Sequence, residues 1–370
     1  MNSGNSSPQL EGCIQAFGRL GGFFAAAGQV MEQGLTRQPA SPEVKALVEA
    51  AHESRYENPW FTTGNLARAF HGLSAMLNRD VLEKWVGAYP ALLQPTPETS
   101  SVAVIMAGNI PLVGFHDALC ILISGHRCIA KLSSHDRFLF PAVARILRTL
   151  WPGFHNRITC EGSVLQGFDA VIATGSNNTA RYFDYHFGQY PHLIRRNRNS
   201  LALITGNETA AGLRALGEDV FSYFGLGCRN VSHLMLPTGM APGQITKAWA
   251  AFSGVAENPK YLHNLQYYRA LLSAQGSHFT DAGFFLLRQS PAIASPVGII
   301  HYSGYSNLAS AKAFIQRNLS SLQCVVGPRE LTTATMPVIP AGSSQRPMPW
   351  DYPDGTDTIQ FLLGIPSSAS

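Results

Sequence analysis

Cys228 lies in Phe224-Gly-Leu-Gly-Cys-Arg-Asn-Val-Ser232, a setting suited to an attacking thiol. Glycines on the approach let backbone and substrate come close, Asn230 or Ser232 is placed to open a helical turn just beyond, and Arg229 adds a positive charge. Oriented N–H groups and a nearby cation both favour the thiolate, the nucleophilic form. The same pattern suits a small buried cysteine, the commoner use of that residue. Cys120, Cys128 and Cys324 stand inside apolar runs and read as core, as does Cys160 at the end of a short strand. Asn109, in Ala107-Gly-Asn-Ile-Pro111, is expected where a strand gives way to a helix. Its amide either donates to a developing oxyanion, a role worth about 3 kcal/mol, or caps the helix. Lys131, in Lys-Leu-Ser-Ser134, ends a buried strand, where a lysine is costly without a ligand or partner unless its stem snorkels outward. Gly175-Ser176-Asn-Asn-Thr179 is a strand-to-helix turn of small residues, suited to a phosphate or a nicotinamide at a helix N-terminus.

These residues must be carried by elements that alternate. From Gly12 to Leu93 apolar positions recur at helical spacing, broken at Pro39–Pro42 and at Asn58-Pro59, with two helices expected between Trp60 and Leu93. Residues 1–10 read as disordered. From Ser100 the texture changes. Strands are expected at Val102–Ala107, Cys128–Lys131, Asp169–Thr174 and Ser200–Thr205, with helices to about Ser124, over Phe138–Leu150 and over Ala180–Phe187. After Cys228 a second block offers strands at His233–Leu236, Phe284–Leu287, Val297–His301 and Leu322–Val326, and Ile359–Leu363 reads as a returning strand. Such alternation implies right-handed crossovers and parallel sheets covered on both faces, with ligands at the C-terminal strand ends. The fold class is therefore α/β.

Composition narrows the function classes. Of 370 residues 45% are hydrophobic and 14% charged, so much surface is buried, and a net charge of +4 is too small and scattered for a nucleic-acid binder. Arg195, Arg196 and Arg198 form one tight basic cluster, short enough to suit phosphate groups on a small ligand. The apolar stretch Val102–Ile123 is interrupted by Asn109, Pro111, His116 and Asp117, so no membrane span is expected. The N-terminus shows no signal-peptide pattern, and six irregularly spaced cysteines fit a reducing compartment, which together point to the cytoplasm. The histidines do not assemble into ligand spacing, and no metal site is expected. No Gly-x-Gly-x-x-Gly follows any expected strand.

Taken in order, Asn58-Pro-Trp-Phe-Thr62, Val104–Asp117, Ala130–Ser134, Phe168–Asn178, Ile194–Ser200, Phe224–Ser232, Gln323–Val326 and Trp350–Thr358 resemble the LuxC-type acyl-CoA reductases of the aldehyde dehydrogenase superfamily. The resemblance spans about residues 58–364. It implies an aldehyde-dehydrogenase-like fold: an N-terminal helical segment (1–98), a Rossmann-type cofactor domain without the Gly-rich fingerprint (99–220), an α/β catalytic domain (221–336) and a C-terminal returning segment (337–370). It implies that Cys228 is the nucleophile and that Asn109, with the Cys228 N–H, forms the oxyanion hole. Lys131 would hold the adenosine ribose, with Ser133 and Ser134 beside it, and Gly175 and Ser176 would lie near the pyrophosphate and nicotinamide. A homo-oligomer is implied as well.

Departures from the superfamily pattern set the reaction. Ser134 stands where NAD-using members carry a glutamate that binds the ribose 2′-hydroxyl; without that carboxylate a 2′-phosphate is tolerated, and NADPH becomes the expected cofactor, with Arg137 placed to assist. Arg195–Asn199 lacks the carboxylate that activates hydrolytic water, so an acyl-enzyme should survive to be reduced. Ala292 replaces a glutamate that anchors the nicotinamide ribose. The expected activity is reduction of an acyl thioester, on coenzyme A or an acyl-carrier protein, to an aldehyde. An acyl-phosphate reductase or an aldehyde dehydrogenase of the same superfamily, and a non-catalytic acyl-carrier or assembly subunit, are the alternatives.

Overall fold

Ser7 and Ser41 each precede a proline, and each hydroxyl accepts a backbone N–H three residues on, so both start helices as caps. The computed structural model describes residues 7–34, 39, 41–94, 99–162, 165–175, 177–332, 336 and 338–366. The chain forms two compact units, one holding residues up to Arg196 and from Pro347 onward, the other Asn197–Arg346.

The first unit opens with α1 (Pro8–Glu32), α2 (Pro42–Glu57), α3 (Thr63–Met76) and α4 (Arg79–Gly87). Contrary to the disorder expected over residues 1–10, Pro8–Leu10 belong to α1, because Ser7 caps it and Leu10 is buried. Then come β1 (Ser101–Ile105), α5 (Phe115–Ile123), β2 (Arg127–Lys131), α6 (Leu139–Leu150), β3 (Ile158–Glu161), β4 (Ala170–Thr174), α7 (Asn177–Phe187) and β5 (His192–Arg195). The strands pair in the order β3-β2-β1-β4-β5, all parallel, with Ile105 opposite Lys131 and Val104 opposite Ile172. The order reverses direction at β1, which puts a crevice for ligands beyond the C-terminal ends of β1 and β4. Phe17, Phe24, Phe70, Phe115 and Phe140 join the helical segment and the sheet in one core.

The last stretch corrects an expectation. Ile359–Leu363 is not a strand but part of a C-terminal helix, Thr358–Leu363. Asp357 caps it by accepting the Gln360 N–H, and Ile359 and Leu362 are buried while Gln360 faces solvent, a spacing of three that a helix satisfies.

In the second unit β6 (Asn199–Leu203), α8 (Ala210–Phe221), β7 (Val231–Pro237), α9 (Gly243–Ala248), α10 (Pro259–Ala274), β8 (Thr280–Asp281), β9 (Leu286–Gln289), β10 (Ile299–Tyr305), α11 (Leu308–Arg317), β11 (Leu322–Val326) and β12 (Val338–Ile339) follow in order. Their sheet runs β12-β11-β6-β7-β10-β9-β8, parallel except for β8 against β9. β6 looks in the sequence like a continuation of the first sheet, yet it lies here between β11 and β7. Only residues 196–198 separate it from β5. A parallel neighbour in one sheet needs a crossover of a dozen or more residues, so the chain must leave for a new sheet. Leu213, Trp249 and Phe285 cover one side of this sheet in one cluster, and Met235, Ile315 and Val325 form another.

Candidate functional site

The first unit brings several of the expected residues together at the ends of β1 and β2. Asn109 is exposed on the loop after β1. The helix-cap alternative for it fails, since α5 begins at Phe115 with Gly114 as its N-cap. Lys131 is the last residue of β2 and half-buried; Ser133 follows half-buried and Ser134 exposed. The two loops touch closely: a Cβ on Gly108 would lie 2.5 Å from the Ser133 Oγ and 2.9 Å from the His135 Cβ, so only glycine fits.

Two buried side chains with no role expected from the sequence hold these loops. Asn58 donates its amide protons to the Gly108 carbonyl at 3.1 Å and the His135 carbonyl at 3.2 Å, while its Oδ1 accepts the Trp60 N–H. Asp136 accepts the Leu112 N–H at 2.8 Å, where Leu112 has a left-handed φ of 55°. Burial pushes the Asp136 carboxyl up to about 7, against the downward pull of that bond. The signal available in the sequence for Asn58 was its place ahead of a proline-aromatic turn.

Gly175 ends the β4 turn; a Cβ there would meet Thr179 at 3.0 Å and the Phe183 ring at 3.1 Å. Ser176 lies outside the described residues. Glycine at Gly108 and Gly175, beside the point where strand order reverses, leaves backbone open to close approach, as an extended phosphate-bearing ligand requires.

Arg195, Arg196 and Arg198 do not form a phosphate site. Arg195 is buried in an ion pair with Asp117 at 2.6 Å and donates to the Pro353 carbonyl and Thr358 Oγ1. Arg196 pairs with Asp184, and Arg198 donates to the carbonyls of Leu319 and Leu322. These arginines diverge because Arg195 ends β5 and is drawn to Asp117, while Arg196 and Arg198 lie in the segment between β5 and β6. The Trp350–Thr358 motif is likewise structural: Tyr352 joins Trp85 and Tyr89, and Tyr89 donates to Asp357. Arg137 forms an exposed pair with Glu57.

In the second unit Cys228 occupies a tight turn between α8 and β7 and is partly exposed. No helix opens after it; a strand does, so the expected helix-dipole contribution to the thiolate is absent. Cys120, Cys128 and Cys324 are core as the sequence implies, whereas Cys160, also read as core, is half-buried. Cys13, Cys120, Cys128 and Cys324 are buried, burial pushes Cys13 up to about 12 and Cys324 to about 11, and it raises Cys120, Cys128 and Cys160 as well. At Ala292 the carbonyl accepts both the His233 Nδ1–H at 2.9 Å and the His301 Nδ1–H at 3.0 Å, which fixes this segment against β7 and β10. Burial lowers His233 to about 4 and lowers His301, so both rings are neutral near pH 7. Among the described residues no helix is long and apolar enough to cross a membrane, and no His, Cys, Asp or Glu group could hold a metal ion.

No family model matches the chain. Among curated proteins it is similar to long-chain acyl-protein thioester reductase 2 of Photobacterium leiognathi, 21% identical over 153 residues, covering 38% of this chain and 32% of that protein. It is also similar to the long-chain acyl-protein thioester reductase of Photorhabdus laumondii, 24% identical over 132 residues, covering 32% and 27%. The chain thus matches less than a third of the length of either relative. Among solved structures, aldehyde dehydrogenase 21 from Physcomitrella patens superposes with a TM-score of 0.60 at 11% identity, covering 95% of this chain and 87% of that one. The aldehyde dehydrogenase KauB from Pseudomonas aeruginosa gives 0.58 at 12% identity, covering 89% and 78%. The α/β fold is that of the aldehyde dehydrogenases, and the resemblance to LuxC-type reductases holds in the curated matches.

Proposed function

From an aldehyde-dehydrogenase fold in a chain similar to LuxC-type reductases, we propose that this protein reduces an acyl thioester, on coenzyme A or a carrier protein, to the aldehyde through Cys228. The observation that carries the reading is Cys228 itself: a partly exposed thiol in a tied-down turn, while burial closes off Cys13, Cys120, Cys128 and Cys324. We read the first unit as the cofactor domain and the second as the catalytic one.

The Cys228 thiolate attacks the thioester carbon, and the carbonyl electron pair moves to oxygen, where the Asn109 amide and the Cys228 N–H donate to the oxyanion. The carbonyl reforms as the bond to the leaving thiolate breaks, giving an acyl-cysteine. A nicotinamide cofactor, when bound, supplies hydride for the acyl carbon. Cys228 then holds the reduced carbon as a thiohemiacetal and is released as thiolate when that C–S bond breaks. The Arg195–Asn199 segment offers no carboxylate to activate water, so the acyl-cysteine is protected from hydrolysis.

The strand-end crevice with Gly108 and Gly175 fits a dinucleotide, and Lys131, Ser133, Ser134, Gly175 and Ser176 would hold it. Ser134 favours the 2′-phosphate of NADPH by placing no negative charge there. Arg137 is already engaged by Glu57, which leaves Ser134 and its exposed neighbour His135 as the polar groups at that position. Incubation of the full chain with a long-chain acyl-CoA and NADPH should release aldehyde, and Cys228→Ala should abolish it. Aldehyde formation at the wild-type rate by Cys228→Ala would overturn the reading.

A further inference from the structure

We propose that Asn230 is the residue that positions Cys228, by closing the turn that carries the thiol and fastening it to the end of α8. The inference rests on the reading of Cys228 as the nucleophile.

Cys228 sits inside a four-residue turn closed at both ends by Asn230. The Asn230 N–H donates to the Gly227 carbonyl at 3.0 Å, and the Gly227 N–H donates to the Asn230 Oδ1 at 2.8 Å. On its other side the Asn230 amide donates to the carbonyls of Asp219 at 3.1 Å, Val220 at 3.3 Å and Ser222 at 2.8 Å. The side chain is 1% exposed, so water cannot replace these partners. Only an amide of this length serves both sides. A carboxylate would accept from Gly227 but would face three carbonyl oxygens with no proton to give.

The backbone between α8 and the turn gives the tie something to hold. Tyr223, Phe224 and Gly225 have φ of 51°, 59° and 76°. Left-handed backbone at non-glycine residues is strained and persists where surroundings over-determine it. Asn230 spans that stretch from both flanks, and the Phe224 ring packs 5.9 Å from Tyr261. The anchor is itself fixed, because the Asp219 carboxylate accepts the N–H groups of Gly342 at 2.6 Å and Ser344 at 2.8 Å. A second tie comes from Ser200, whose hydroxyl donates to the Cys228 carbonyl at 3.0 Å. The peptides on both sides of Arg229 are thereby held, and with them the direction of the Cys228 side chain.

The test uses the full chain with Asn230→Ala, Ser200→Ala and, as a stability control in the first unit, Leu47→Ala, a buried α2 leucine. Each is assayed where circular dichroism shows it folded. Misplacement of a reacting group by about 1 Å costs on the order of a hundredfold, so Asn230→Ala should lose about that in kcat with KM for NADPH unchanged. The pH midpoint of Cys228 alkylation by iodoacetamide, followed by peptide mass, should move by about half a unit or more as the thiolate's surroundings change. Leu47→Ala should move neither. Should Asn230→Ala not fold, Ser200→Ala must show the same alkylation shift, though smaller. Wild-type kcat and alkylation midpoint in both variants, with only thermal stability lost, would make Asn230 a merely structural residue and overturn the proposal. If wild type makes no aldehyde but Asn230→Ala still shifts the alkylation midpoint, the functional reading falls and the positioning of the thiol stands.

Discussion

Asp136→Asn should change the pH dependence of stability more than stability at any single acidic pH. Burial raises the Asp136 carboxyl from 3.8 to about 7 in the folded chain. Between those values the folded state keeps a proton that the unfolded state has lost, so stability falls as pH rises through the window and stays low above it. A shift of about 3 pH units corresponds to about 4 kcal/mol. Asparagine cannot ionise but keeps a carbonyl oxygen for the Leu112 N–H. Relative to wild type, the variant should therefore gain up to about 4 kcal/mol between pH 4 and pH 8, on top of a constant offset from the exchange itself. Urea unfolding followed by tryptophan fluorescence at each pH measures it. Other groups titrate too: Asp219 is raised by burial, and His233, lowered to about 4, acts with the opposite sign between about pH 4 and 6.5. Both are present in either protein and cancel in the difference. A difference flat from pH 4 to 8 would show that Asp136 is ionised normally and that its burial has no such effect.

Asp117→Ala should strand Arg195, 4% exposed, as a buried cation without its carboxylate and cost about 3–5 kcal/mol in urea unfolding. Adding Arg195→Met should recover most of that, and a single-variant loss under about 1 kcal/mol would contradict the buried-pair reading. Ser134→Glu should raise KM for NADPH roughly tenfold or more through repulsion of the 2′-phosphate, with NADH use unchanged or improved. Equal effects on both cofactors, measured by initial rates, would remove Ser134 from cofactor selection.

The sequence by itself determined the local elements. Runs of Val, Ile and Ala at Val102–Ile105 and Ala170–Ala173, rich in β-branched residues and followed by turn residues, read as strands buried on both faces. It also singled out Cys228, by its glycine-flanked setting and the family resemblance, while Cys120, Cys128 and Cys324 sit in runs that bury them. What it could not supply was anything that depends on distant partners. The Ile359–Leu363 run is too short for periodicity to separate strand from helix, and the Asp357 cap decides it. The three neighbouring arginines look like one basic patch until Asp117 draws Arg195 inward at the end of β5. Asn58, Asp136 and Asn230 look like ordinary turn residues, since a hydrogen bond from a side chain to a carbonyl fifty residues away leaves no mark on local spacing. The candidate roles of Cys228 and Asn109 were therefore legible as residue type, while the side chains that tie the turns beside them, Asn230 and Asn58, emerge only from tertiary contacts.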